Sequence, residues 1–470
     1  MKLNNKFLVA LVALCLFAAS CKKALEEQKP QASLDAPTAF ANAASVRAGL
    51  FGIYSAAQGS TYWGLEYLIF ADLAADNLTH VGTFPTFAQI ANKQILPDNV
   101  NVANIYNQIY DGINRANTLI AAIPGVNDAS LDKDATLAEA RTLRAMMYFD
   151  LLRYWGGSPT GYNKANGAGV VLKLTPTLKA NDAAATPRSA EAQVWAAILA
   201  DLDYALGITS YPNRITNRAG KDAARALKAR VQLYREQWAD AEALATEVIN
   251  SSRYQLVSTA NYESIWLQKN STESIFELEF NSADQNSIAF YYYTTGTGGR
   301  NEVSSSTSLR DAHETGDIRR AINYTTACTS CTPPYPAAKT RKYSRISTGD
   351  DNVILIRLAE IYLIRAEARA RQAASGADII AQNGVADLNI IRQRAGLTPF
   401  VSVSKDDIQM AILRERRVEL AHEGHRWFDL RRYNMLSTTL GVTQPFRALW
   451  PIPQSEVLTS GGVIAQNDQY

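Results

Sequence analysis

The segment AILRERRVELAHEGHRWFDLRRY, residues 411–433, packs six arginines and four acids into a helix and its exit. Glu415 and Glu419 stand one turn apart on the same face, with Arg414, Arg416 and Arg417 interleaved. Two carboxyls so placed are one way to build the general acid and base of a glycosidase. That chemistry needs one carboxyl kept protonated by an apolar pocket, whereas neighbouring guanidinium groups favour the ionised form. The preferred reading is an ion-pair network that locks the helix into a scaffold. His422-Glu423-Gly424-His425 invites a metalloprotease reading, but that motif sets its imidazoles four residues apart on a helical face. Here the spacing is three and Gly424 marks a helix end, so no metal is assigned. Only His80 and His313 remain for histidine-based catalysis. No nucleophile elbow, P-loop or dinucleotide fingerprint stands out, so no cofactor is expected and several enzyme classes fail together.

Outward from this segment, helical periodicity dominates. Leu143, Met147 and Leu151 recur at four-residue spacing within 131–155, which stops at Gly156-Gly157. Val194, Ile198, Leu202 and Leu206 do the same after Thr186-Pro187 and Ser189, which supply helix-start chemistry. Residues 353–371, VILIRLAEIYLIRAEARAR, are apolar on most faces and predict a buried helix. Residues 221–250 read as two helices joined near Glu236-Gln237, with Ala226, Ala229, Ala241 and Ala245 where they approach closely. This alanine-rich hairpin resembles a tetratricopeptide repeat, with further copies in 99–123 with 131–155 and in 353–371 with 384–396. The fold class is therefore mainly α, a helical-hairpin scaffold with long irregular insertions near 56–98 and 251–350 that hold short strands. Ser274 to Phe280, which alternates, is one such strand.

The N-terminus reads as a targeting segment. Lys2 and Lys6 precede the apolar run Phe7 to Ala19, which is shorter than the about 20 residues of a membrane span. Ala18-Ala19-Ser20-Cys21 resembles a lipobox, so residues 1–20 are expected to be a lipoprotein signal and Cys21 the acylated residue. An ordinary secretory signal is the alternative. Residues 21–36 read as a lipidated, solvated tether and 37–470 as the folded body. Without the two signal lysines, 45 basic side chains face 45 acidic ones. A net charge near zero gives no electrostatic case for nucleic acid or an anionic membrane surface. Cys328 and Cys331, spaced C-x-x-C before Pro333-Pro334, read as a local disulfide, with free thiols as the alternative.

Aromatic residues in the insertions are the positive functional signal. Tyr62, Trp63, Tyr67, Phe84 and Phe87 lie in the first, and Tyr291, Tyr292 and Tyr293 in the second, near Arg300. Such rings offer a flat apolar face with a polar handle, which suits a sugar ring. Asp72, Asp76, Asn77 and Asn301 would supply hydrogen bonds to hydroxyls. The expected ligand-binding residues are Tyr62, Trp63, Asp76, Asn77, Phe84, Tyr291, Tyr292 and Arg300. For any single ring, core packing is the competing role.

Five ordered blocks carry a family resemblance. EARTLRAMMYFDLLRYWGGSP (139–159), RLAEIYLIRAEARA (357–370), LNIIRQRAGL (388–397), RERRVELAHEGHRWFDLRRY (414–433) and PIPQSEV (451–457) with Gln466-Asn467 resemble the SusD/RagB family. The resemblance implies a helical fold with four tetratricopeptide-like hairpins and a lipid anchor in the outer membrane, facing the cell exterior. It also implies a non-enzymatic role, capturing glycan and delivering it to a SusC-like TonB-dependent transporter. Ligand residues of that family lie in variable insertions, so the site residues above come from side-chain chemistry alone. The same lid mechanism applied to peptides or other non-sugar nutrients is the alternative, and a glycosidase is a third. A Tyr/Trp patch with Asn and Asp serves sugar and peptide alike.

Overall fold

A computed structural model describes residues 39–331 and 334–470; the signal segment, Cys21 and the whole tether lie outside the described residues. Helix α1 (Ala43–Gln58) starts at Asn42, whose side chain accepts the Ser45 N–H at 3.0 Å. After α2 (Glu66–Leu73) come α3 (Val100–Ala122), capped by Asn99, and α4 (Lys133–Trp155), capped by Asp132. The chain leaves α4 through Gly157, whose φ of 83° sits in the region glycine favours. Helices α5 (Glu191–Gly207), α6 (Lys221–Tyr234) and α7 (Trp238–Asn250) follow, with the turn between the last two made at Glu236. The C-terminal third supplies α8 (Leu358–Gln372), α9 (Gly384–Arg394), α10 (Lys405–Glu419) and α11 (Arg426–Arg432).

Consecutive scaffold helices stack on one another. α1 packs on α3, α3 on α4, α4 on α5, α5 on α6, α6 on α7, α7 on α8, and α8 on both α9 and α10. Ala226, Ala229, Ala241 and Ala245 are all fully buried, which lets the α6–α7 hairpin close tightly. The fold is thus the mainly helical hairpin stack that the periodicity predicts. No helix among the described residues is long and apolar enough to cross a membrane.

Four short strands complete the structure: β1 (Leu78–His80), β2 (Ser274–Leu278), β3 (Val303–Ser305) and β4 (Val353–Arg357). They pair antiparallel as β1 with β3 and β2 with β4. Three expectations need correction here. Residues 353–357 are a strand and not the start of a helix, because the run Val353-Ile354-Leu355-Ile356, three of its four residues β-branched, finds a partner in β2. β2 is buried on both faces despite its alternation, and Glu277 is satisfied inside by the Asn270 N–H at 2.6 Å and the Asn352 amide at 2.7 Å. Thr186-Pro187 and Ser189 do not cap α5; the Gln193 side chain accepts the Ala190 N–H instead, at 2.9 Å.

The charge-dense segment lies in the interior. Glu419 accepts from Arg357 at 2.5 Å, from Arg319 at 3.0 Å and from Arg394. Arg357 also reaches Glu273 at 2.7 Å and Glu423 at 2.8 Å, while Arg394 bonds Glu273 at 2.8 Å. Arg319 extends the web to Asp317 and Glu415. A second web joins Arg416 and Arg432 to Asp429, and Arg432 to Glu367. Burial alone would raise the Glu419 pKa, but Arg394, Arg357 and Arg319 hold the carboxyl well below its usual range. Glu415 moves the other way, because burial outweighs Arg319 and the Glu419 charge adds to it. Both carboxyls are enclosed, at 3% and 0% exposure, so no sugar reaches them.

Removing one partner from such a web leaves buried guanidinium charge unmatched, which costs about 3–5 kcal/mol. Glu419→Ala is expected to lower unfolding stability by that order in denaturant titration, with Glu419→Gln intermediate. An unchanged midpoint for both would show that the web carries no net stability.

Candidate ligand-binding face

The two insertions meet at the β1–β3 ladder, where Leu78, Thr79 and His80 pair with Ser305, Ser304 and Val303. Glu302, just before β3, organises what surrounds it. Its backbone carbonyl accepts the Val81 and Gly82 N–H groups at 3.0 and 3.1 Å. Its carboxylate accepts the Phe84 N–H at 2.7 Å, meets His80 Nε2 at 2.9 Å and accepts Arg300 Nε at 3.2 Å. Burial would push its pKa up, but the Phe84 N–H, His80 and Arg300 together hold it below the usual range. Gly82 is needed at this approach, since a Cβ there would stand 2.3 Å from the Glu302 carboxyl.

Around this anchor sits an aromatic shelf. Residues Ile288–Tyr292 make a short helix, and at about 100° per residue its apolar run divides between two faces. Ile288, Ala289 and Tyr292 turn inward, Tyr291 is half-buried and Phe290 is 42% exposed. Tyr291 stacks on the buried Phe87 at 5.8 Å and meets Phe84 at 6.3 Å and Phe290 at 6.0 Å. The Arg300 guanidinium lies 3.8 Å above the Phe84 ring. Phe290, Thr295, Thr83, Arg300 and Glu302 line a hollow of about 380 Å³. The Tyr291 hydroxyl has no hydrogen-bond partner among the described residues.

Of the expected site residues, Phe84, Tyr291 and Arg300 come together here. The others do not. Tyr62 and Trp63 are buried and both bond the Asp150 carboxylate, Trp63 Nε1 at 2.9 Å. Tyr292 is buried and donates to His422 Nδ1 at 3.0 Å. Asn77 is buried between Asp72 at 2.8 Å and Arg417 at 3.0 Å. Asp76 is held by Arg426 at 2.7 Å and by Arg417 at 3.1 Å. These side chains have internal partners for their polar tips, which lets residue types suited to a ligand serve the core instead. Tyr67 and Asp72 are also buried, and Asn301 accepts from Lys339 at 2.6 Å. Cys328 and Cys331 form a disulfide.

Phe290, His80 and Glu302 were not singled out by sequence reasoning. The run Phe290-Tyr291-Tyr292-Tyr293 held the signal for Phe290, since on a helical turn its first two rings and its last two face apart. Another cleft, of about 250 Å³, lies between residues 157–168 and 445–469. It offers less to a ligand: the Phe446 ring is met edge-on by Tyr470 at 5.0 Å, and Arg188 donates to the carbonyls of Gly169, Trp155 and Ala465.

Comparison with known proteins gives a consistent picture. A family model described as "SusD family" matches residues 250–445, and one described as "Starch-binding associating with outer membrane" matches residues 25–233. SusD-like protein P2 of Formosa agariphila is 26% identical over 99% of this chain and 100% of its own length. A SusD-like protein of Bacteroides ovatus is 25% identical over 91% of this chain and 82% of its own. The crystal structure of a SusD superfamily protein from Bacteroides thetaiotaomicron aligns with a TM-score of 0.75 at 26% identity, covering 91% of this chain and all of that one. A laminarin-binding SusD-like protein aligns with a TM-score of 0.75 at 24% identity, over 92% of this chain and 100% of its own.

Two expectations follow from the buried placements. Trp63→Ala should cost about 3–5 kcal/mol of stability, as a large core deletion does, which chemical denaturation would measure. A variant as stable as the parent would mean that Trp63 is not packed. His422 is buried and neutral, its pKa pushed down to about 3 by burial and by the Lys342 charge. The unfolded chain binds that proton near pH 6.5 and the folded chain only near 3, so stability falls as pH drops through this window. The slope is about 1.4 kcal/mol per pH unit for one such group. His422→Asn should flatten the pH dependence of unfolding there, and an unchanged slope would mean that the ring protonates in place.

Proposed function

The chain belongs to the SusD family, and on that premise we propose that it is a surface lipoprotein that binds glycan at the β1–β3 face. In this reading Cys21 carries the lipid, residues 21–36 tether the body to the exterior of the outer membrane, and the bound glycan passes to a SusC-like TonB-dependent transporter. The observation that carries the binding reading is the shelf of Phe84, Tyr291 and Phe290 beside the Arg300 hollow, formed where two insertions meet on a helical scaffold. Sugar rings present an apolar C–H face to such aromatics, and their hydroxyls find Thr83, Thr295 and the free Tyr291 hydroxyl at the margin. The match to a model described as starch-binding supports a carbohydrate ligand, and the laminarin-binding neighbour shares the fold. The role is capture without turnover.

Calorimetric titration of residues 22–470 against panels of oligosaccharides and peptides tests this. Heat from at least one oligosaccharide class, with no product formed, is expected. Phe84→Ala and Tyr291→Ala should each weaken that binding about tenfold, as loss of a central aromatic contact does. Undiminished affinity in both variants would move the site elsewhere. A response to peptides alone would replace the glycan with a peptide ligand.

A further inference from the structure

Along the β1–β3 face, cations outnumber the acids free to answer them. Arg300 gives only its Nε to Glu302, and its terminal nitrogens meet no acceptor among the described residues. His80 and Lys93 border a second hollow, of about 400 Å³, beside β1. Lys93 and Arg447 border a third, of about 110 Å³. The Lys93 ammonium is half-buried, burial lowers its pKa, and no carboxylate lies within ion-pair distance of it among the described residues. Arg447 bonds Gln444 and the Lys93 carbonyl, both neutral. Behind β3, Lys339 is held by Asn301, the Val303 carbonyl and Ser304, again with no carboxylate, and burial pushes it down to about 8.

The acids nearby are occupied. Glu302 already takes three donors, and Asp76 is bracketed by Arg426 and Arg417. Glu66 is buried, bonded to Asn101 at 2.6 Å, and its carboxyl is pushed up to about 7 by burial, so at neutral pH it carries only part of a charge. The mature chain as a whole is close to neutral, so this local excess is a property of the face and not of the protein.

We propose that the ligand of this face is an acidic glycan, whose carboxylate or sulfate groups are taken by Arg300 and Lys93 while a sugar ring lies on Tyr291 and Phe290. This rests on the glycan reading above and narrows it. A guanidinium whose terminal-nitrogen edge is free beside a stacking surface matches the planar carboxylate of a uronic acid and equally an oxygen pair of a sulfate ester. The separate hollows bordered by Arg300 and by Lys93 would engage successive charged residues of a chain.

Titration with oligouronates, sulfated oligosaccharides and neutral oligoglucans of equal length tests it. Acidic chains are expected to bind at least about tenfold tighter than neutral ones, an advantage that salt erodes. Whichever acidic class binds identifies the anion. Arg300→Gln should remove most of that advantage, Arg300→Lys should restore part of it, and Lys93→Gln should reduce it further. Melting curves of the variants establish that they are folded. Neutral glucans binding as tightly as acidic ones, with no salt dependence, would overturn the acidic assignment and leave the glycan reading standing. Silence toward every sugar, with a response to peptides, would overturn both.

Discussion

The Glu419 carboxylate draws guanidinium groups from three distant parts of the chain: Arg319 in the second insertion, Arg357 where β4 becomes α8, and Arg394 at the end of α9. None of these charges reaches water, so each depends on the others for the interactions that hydration would otherwise provide. A web of this kind tolerates little slippage, because moving one member strands a charge in a medium of low dielectric. Its effect is to fix the second insertion against the scaffold. Asn323 extends the link by donating to the Val418 carbonyl at 2.7 Å while its own carbonyl accepts from His422 at 2.9 Å.

The stretch from Leu420 to Arg426 is therefore a joint between the scaffold and both insertions. His422 and Gly424 adopt positive φ, which turns the chain sharply between α10 and α11. On one side His422 receives the Tyr292 hydroxyl, directly behind the exposed Tyr291 and Phe290. On the other, Arg417 and Arg426 clamp Asp76 and Asn77, two residues before β1. Both strands under the ligand face are thus positioned by one charged segment.

How much of this was legible follows from what each signal depends on. Helix positions come from local periodicity, and α3 to α7 lie close to where the 3.6-residue pattern puts them. The charge-dense segment was readable as a network because its composition permits little else in a helix. Its partners Arg319, Glu273 and Arg357 were not, since pairing across more than fifty residues leaves no local trace. The site was half legible for a related reason. Tyr62 and Tyr291 look alike as sequence, but Asp150, on α4, gives the Tyr62 hydroxyl an internal partner, whereas the Tyr291 hydroxyl has none among the described residues. Residues 353–357 show the same limit, because an apolar run becomes strand or helix according to whether a partner such as β2 is available.

The same bonds that build the face also occupy the carboxyl groups around it, which fits the proposed capture role. Glycoside hydrolysis by the usual route needs a carboxylic acid to give a proton and a carboxylate to act beside it. Glu302, the acid that lines the hollow, is held ionised by a backbone N–H, His80 and Arg300. Both of its oxygens are already engaged by those three groups, and held ionised it has no proton to give a leaving group. Glu66 has the raised pKa that a proton donor requires, but its side chain is buried and bonded to Asn101. Glu415 and Glu419 are one turn apart, yet both are enclosed in the scaffold. Aromatic rings and unanswered cations remain at the surface, and in the proposed reading those groups would hold a sugar chain without acting on its bonds.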